Sequence, residues 1–145
     1  MKTDNPFNLL MPAAMAKVAE DAGVYKASKH PLTTFFLAIT AGVFISIAFT
    51  FYITATTGSS ALPYGLSKLA GGFCFSLGLI LVVVCGADLF TSTVLIVVAK
   101  ASKRISWGQL ARHWINVYIG NLFGALFFVG LIWFSGEHML ANGCW

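Results

Sequence analysis

Asp88 is the only acid between positions 33 and 99, in the middle of an otherwise apolar stretch. It stands in the run Cys85-Gly86-Ala87-Asp88-Leu89-Phe90-Thr91-Ser92-Thr93, which gathers a glycine, a carboxylate and three hydroxyls. A carboxylate at membrane depth costs several kcal/mol unless something pairs with it, so it marks either a solute contact or a structural anchor. Two roles fit Asp88: fixing the backbone at a helix break, or touching what passes. Asp88, Thr91, Ser92 and Thr93 each have the side-chain oxygen of an N-cap, which places a helix start near Val94. Gly86 belongs to the same mid-membrane loop. Upstream, Phe75, Leu79 and Val82 recur at helical spacing, as do Gly71, Gly78 and Cys85. The small face reads as a helix contact. The bulky face reads as lipid-facing, or as the narrow points of an apolar pore at Phe75 and Leu79.

Other reactive types lack the company that chemistry requires. His30, His113 and His138 read as interfacial, and no two His, Cys or carboxylate residues have metal-site spacing. Cys74 and Cys85 lie in an apolar run as reduced thiols, and Cys144 stands near the end without a CxxC. With no nucleophile motif and no phosphate loop, the chain reads as a non-enzyme without cofactor or metal. Asn116 and Asn121 suit interhelical hydrogen bonds ahead of solute contact, and Gly120 with Gly124 forms a GxxxG that brings two helices close.

Such residues need apolar elements around them. Of the 145 residues 58% are apolar and 10% charged, against about 25% charged in soluble domains. The mean hydropathy of +0.82 excludes a soluble enzyme and a disordered chain alike. The pattern predicts an all-α membrane protein. Three spans are expected at about 33–57, 64–99 (broken near 85–93) and 113–134, with a basic loop at 100–112. Non-helical backbone at membrane depth must be buried in protein or line a wet cavity. A helix is predicted over residues 5–23, with Pro6 and Pro12 in first turns and Gly23 as its stop. The chain thus divides into an N-terminal helix, 1–29, and a three-span membrane unit, 30–145. No cleavable signal peptide is expected.

Lys2, Lys17, Lys26 and Lys29 precede the first span, and Lys100, Lys103, Arg104 and Arg112 share a later gap. Flanking charge of this kind is the positive-inside pattern and puts the N-terminus in the cytoplasm; it is not a nucleic-acid face. Lys68 alone departs from it. A three-span unit duplicated in tandem inserts its second copy upside down, the architecture of inverted-repeat transporters and channels. No internal repeat is visible, so the chain reads as one repeat unit.

The run from Cys85 to Thr93, the opening Asp4-Asn5-Pro6-Phe7 and the triplet Lys29-His30-Pro31 closely resemble the formate/nitrite transporter family over the whole length. The resemblance implies a passive channel for formate and related small monocarboxylate anions in a bacterial inner membrane. It implies an aquaporin-like fold of six spans in two inverted repeats, assembled as a homopentamer with a pore through each protomer. This chain would be the first repeat, with its second span broken by an Ω-shaped loop. By the same resemblance Phe75 is the outer constriction, and Leu79 and Leu89 are the inner one. Phe90, counted with those three among the pore-constriction residues, and Thr91 lie beside a central chamber, with Thr91 able to hydrogen-bond the family's central histidine, and Asp88 fixes the loop. That histidine and a central lysine belong to a second repeat outside these 145 residues. The chain is therefore expected to be part of a longer protein or to pair with another unit, since three spans alone leave an open groove. Two other readings stay open: a neutral-solute pore, and a non-conducting scaffold that docks a cytoplasmic partner through residues 1–29.

Overall fold

The computed structural model describes residues 11–140 and Trp145. The predicted helix start at residues 5–10, the opening motif with Pro6, and Cys144 lie outside the described residues. The described chain is helical: α1 (Pro12–Ser28), α2 (Pro31–Thr56), α3 (Tyr64–Val84), α4 (Phe90–Thr93), α5 (Ile96–Ala101) and α6 (Trp107–Ser135), with short 3-10 turns at Ser59–Ala61 and Glu137–Met139. Helices α2, α3 and α6 have 26, 21 and 29 residues and are apolar enough to cross a membrane. At about 1.5 Å per residue each reaches the roughly 30 Å of a hydrocarbon core.

Helix α2 is the centre of the fold, with α6 on one side and α3 on the other. Its buried positions are Thr34, Ala38, Ala41, Gly42 and Ala48, all small. Apolar chains gain little from burial against each other in lipid, so helices associate by close packing, which small residues permit. The predicted GxxxG lies in that contact: Gly124 faces the Ile39 carbonyl, and a Cβ on Gly120 would stand 2.5 Å from that of Ala38. Gly42 answers from α2 against the Asn121 backbone. On the other side Gly71 meets Tyr52 and Thr56, and Gly78 meets Ala48. The outward faces carry exposed Phe73, Val83, Phe127 and Phe134, which lipid or further protein must cover.

The second span breaks where the sequence placed the break, but its caps differ. Helix α3 ends at Val84 and Gly86 adopts φ +63°. The next helix starts at Phe90 rather than near Val94, with Leu89 as N-cap and no side-chain cap bond. None of Asp88, Thr91, Ser92 and Thr93 caps it. Inside the helical turn the hydroxyls of Ser92 and Thr93 donate back to the carbonyls of Leu89 and Phe90, the local competition expected of such side chains. The Asp88 carboxylate has stronger, cationic partners elsewhere.

Two other expectations are corrected. Helix α1 runs through Gly23 to Ser28, because Gly23 serves a close approach to α5: a Cβ there would lie 3.0 Å from that of Ala99. What stops α1 is Pro31, which holds His30 extended at ψ 132°. Helix α6 starts at Trp107, inside the predicted basic loop, because Ser106 and Gln109 form a reciprocal capping box. His113 consequently lies in the second turn of α6 and is buried, 6% exposed.

Candidate functional site: the broken span and its clamps

Lys26 and Lys29 lie three residues apart at the end of α1, hence on one helical face. That face meets the break in the second span. Lys26 Nζ is 3.1 Å from Asp88 Oδ1 and Lys29 Nζ is 3.0 Å from Asp88 Oδ2. Lys26 also donates to Ser92 Oγ at 3.2 Å. Asp88 is 1% exposed while the two lysines keep partial solvent access. The carboxylate is thus paired with cations at the end of α1, and among the described residues no backbone N–H donates to it. The group carries one net positive charge beside a cleft of about 320 Å³ lined by Tyr25, Lys26, Lys29, Val83, Gly86 and Asp88. Helix α1 is tied a second time where Arg104 donates to Glu20 and Asp21. The Asp21 and Glu20 carboxylates raise the Arg104 pKa further above its ordinary value.

The loop backbone is held by Asn121 of α6. Its Nδ2 donates to the Ala38 carbonyl at 2.8 Å and to the Asp88 carbonyl at 3.0 Å. Its Oδ1 accepts the Phe90 N–H at 2.9 Å. One side chain thus joins α2, the loop and α6, and receives the first N–H of α4, which has no partner within its own helix. Trp114 Nε1 donates to the Thr93 carbonyl, and the Asp88 N–H donates to the Leu37 carbonyl. Buried backbone polar groups in a helix break need such partners, because lipid offers none.

The expected constriction residues fall into two sets. Phe75 is half-buried with its ring edge-on to Phe49 at 4.9 Å, and Leu79 is 49% exposed one turn further along α3. Leu89 packs on Ala41, Val82 and Ala87 with Phe44 and Ile45. Phe90 stands apart: its ring packs against Trp114 and Tyr118 of α6, and among the described residues no ring contact joins it to Phe75. Gly86, Thr91 and Ser92 are exposed, whereas Thr93 is fully buried.

Sequence reasoning missed Lys26 and Lys29 as the partners of Asp88, and Asn121 as the clamp of the loop. A signal for the first was present: one unmatched acid in a span, and two lysines at i and i+3 just before the first span.

The formate/nitrite transporter family matches residues 13–142. The formate channel FocA of Escherichia coli strain K12 is 78% identical over 145 residues, covering 100% of this chain and 51% of the relative. FocA of Haemophilus influenzae is 48% identical over 136 residues, covering 94% of this chain and 48% of the relative. A solved pentameric formate channel with formate bound superposes with a TM-score of 0.74 at 52% identity, covering 79% of this chain and 45% of that one. The chain spans about half the length of the curated relatives it matches. A broken second span clamped from three helices, and matches that run through it from α1 to the end of α6, lead to one conclusion: the chain belongs to the formate/nitrite transporter family.

Proposed function

We propose that the chain is the first half of a passive channel for formate and related small monocarboxylate anions. The supporting observation is the 78% identity to the E. coli formate channel across all 145 residues, which includes the whole clamped break. In this reading Phe75 forms one apolar constriction and Leu79 with Leu89 the other, on either side of a mid-membrane chamber beside Thr91. Phe90 supports the chamber wall from behind, through Trp114 and Tyr118. An apolar constriction penalises a bare anion heavily. The Lys26–Asp88–Lys29 group offsets part of that penalty by holding positive charge next to the loop, at a fixed place.

The same reading assembles the protein as a homopentamer in the bacterial inner membrane, as the solved relative is pentameric. It places α1 and the 102–106 turn in the cytoplasm, since both basic clusters lie at that end. The relatives are named as channels and transporters, and we read the chain as non-catalytic. The exposed Met11, at the N-cap of α1, with Met15 and Val18 of that helix, at i, i+4 and i+7, offers a face for a cytoplasmic partner.

The test is flux into proteoliposomes, with the chain alone and with the chain completed by the second half of E. coli FocA. The completed protein should pass formate well above glycerol, and the chain alone should pass neither. Glycerol flux equal to formate flux in the completed protein would replace this reading by a neutral-solute pore; no flux would leave the scaffold.

A further inference from the structure

Lys68 is the one basic residue outside the two clusters. It lies near the start of α3, the end of that span remote from Asp88 and α1. Charge patterning disfavours a lysine at that end of a span. Its surroundings preserve its charge. The ammonium donates to the Tyr52 hydroxyl at 2.8 Å and lies 5.6 Å and 5.7 Å from the ring centroids of Tyr52 and Tyr64. These are cation–π distances. Among the described residues no carboxylate lies within salt-bridge distance of it. Three N–H groups minus one donated bond leave two for a ligand.

The register of α3 places this cation above the constriction. Positions 68, 72, 75 and 79 share one helical face. A groove of about 260 Å³ is lined by Phe49, Tyr52, Gly72 and Phe75, and Gly72 stands one turn of α3 beyond Lys68. Gly72 leaves it open, since a Cβ there would meet nothing within 4 Å. Tyr52 belongs to both features: its hydroxyl holds Lys68 and its side chain lines the groove. Seven residues of helix separate the charge from Phe75, roughly 10 Å.

We propose that Lys68 is an anion-binding residue at the mouth of the groove remote from α1, taking the carboxylate of a small monocarboxylate before it meets Phe75. The inference rests on the channel reading above and adds a binding site to it. Tyr52 and Tyr64 position the ammonium by their rings and one hydroxyl without neutralising it. An exposed charge acts over about one Debye length, roughly 10 Å at 0.1 M salt, so its effect on entry fades as salt is added.

The experiment compares the completed protein with its Lys68→Gln, Lys68→Arg and Tyr52→Phe variants, using formate and the neutral, similarly sized formamide. Lys68→Gln should lower formate flux by about three- to tenfold at low ionic strength, with the difference closing to under about twofold near 0.5 M salt. Formamide flux should not change, Lys68→Arg should restore formate flux, and Tyr52→Phe should fall between. Equal losses for formate and formamide, or a loss independent of salt, would instead make Lys68 a helix anchor or a contact to lipid phosphate, and would overturn the proposal. So would unchanged formate flux. Should Lys68→Gln fail to assemble on size exclusion, Tyr52→Phe decides, because it keeps the charge and removes its hydroxyl partner. A completed protein that does not prefer formate, with Lys68 intact, would sink the channel reading itself.

Discussion

The Asp88 carboxylate is buried between two ammonium groups that reach it from α1, 62 and 59 residues earlier in the chain. Removing one partner of a buried pair leaves the rest uncompensated, at a cost of about 3–5 kcal/mol in full burial. Here the lysines are 23% and 17% exposed and can rehydrate, so the loss is smaller. Asp88→Asn should destabilise the fold by about 2–3 kcal/mol, read as a lowered thermal midpoint in detergent. Lys26→Met or Lys29→Met should each cost less than Asp88→Asn, because the other lysine stays. Asn121 makes three hydrogen bonds to backbone groups of the loop and α2. Asn121→Leu leaves these groups unmet, at about 1–3 kcal/mol for each one that water cannot reach. Hydrogen exchange is the more direct readout: the Phe90 amide should lose protection while amides in the middle of α2 keep theirs. Equal loss across α2 would show that Asn121 holds the helix pair and not the loop.

At the level of elements, the α2–α6 contact depends on backbone approach that leaves no room for side chains. A Cβ at Gly124 would overlap the Ile39 carbonyl, whereas one at Gly130 of the same helix meets nothing. Gly124→Val should therefore prevent assembly, and Gly130→Val should assemble as the unmodified protein does, both read by size exclusion of the membrane extract. Overpacking costs typically about 1–3 kcal/mol when the neighbour is a flexible side chain, and here it is backbone. Gly86 carries φ +63° with open space around its Cβ position. Gly86→Ala should cost about 1 kcal/mol by conformation alone, visible as a small drop in thermal midpoint. The GxxxG spacing and the break near position 85 were legible because glycines and hydropathy are local signals. The helix start at Trp107 was legible as well, in Ser106 and Gln109 at capping-box spacing, but the basic residues around it favoured a loop reading.

For the whole molecule, the exposed apolar faces of α3 and α6 must be covered by lipid or by further protein. Leu89 is packed on the α2–α3 contact with only part of its side chain free. In the completed channel Leu89→Ala should raise formate flux or weaken its preference over glycerol, measured in proteoliposomes. Unchanged flux and preference would place the inner constriction elsewhere. Helix α1 is tied both to Asp88 of the loop and to Arg104 in the turn before α6. Any partner docking on α1 would act on the loop through Lys26 and Lys29.

Three spans, a break in the second, a close glycine contact and one-sided basic charge were determined by the sequence alone. Each follows from composition or spacing within one segment, where hydropathy, a missing Cβ or a charge acts on its own neighbours. The tertiary structure alone decided which cations Asp88 meets, that Asn121 receives the Phe90 N–H, that Phe90 turns to α6, and that His113 is buried. Those are distances between residues far apart in the chain. They depend on how closely α2 admits α3 and α6, and on where the end of α1 then comes to rest.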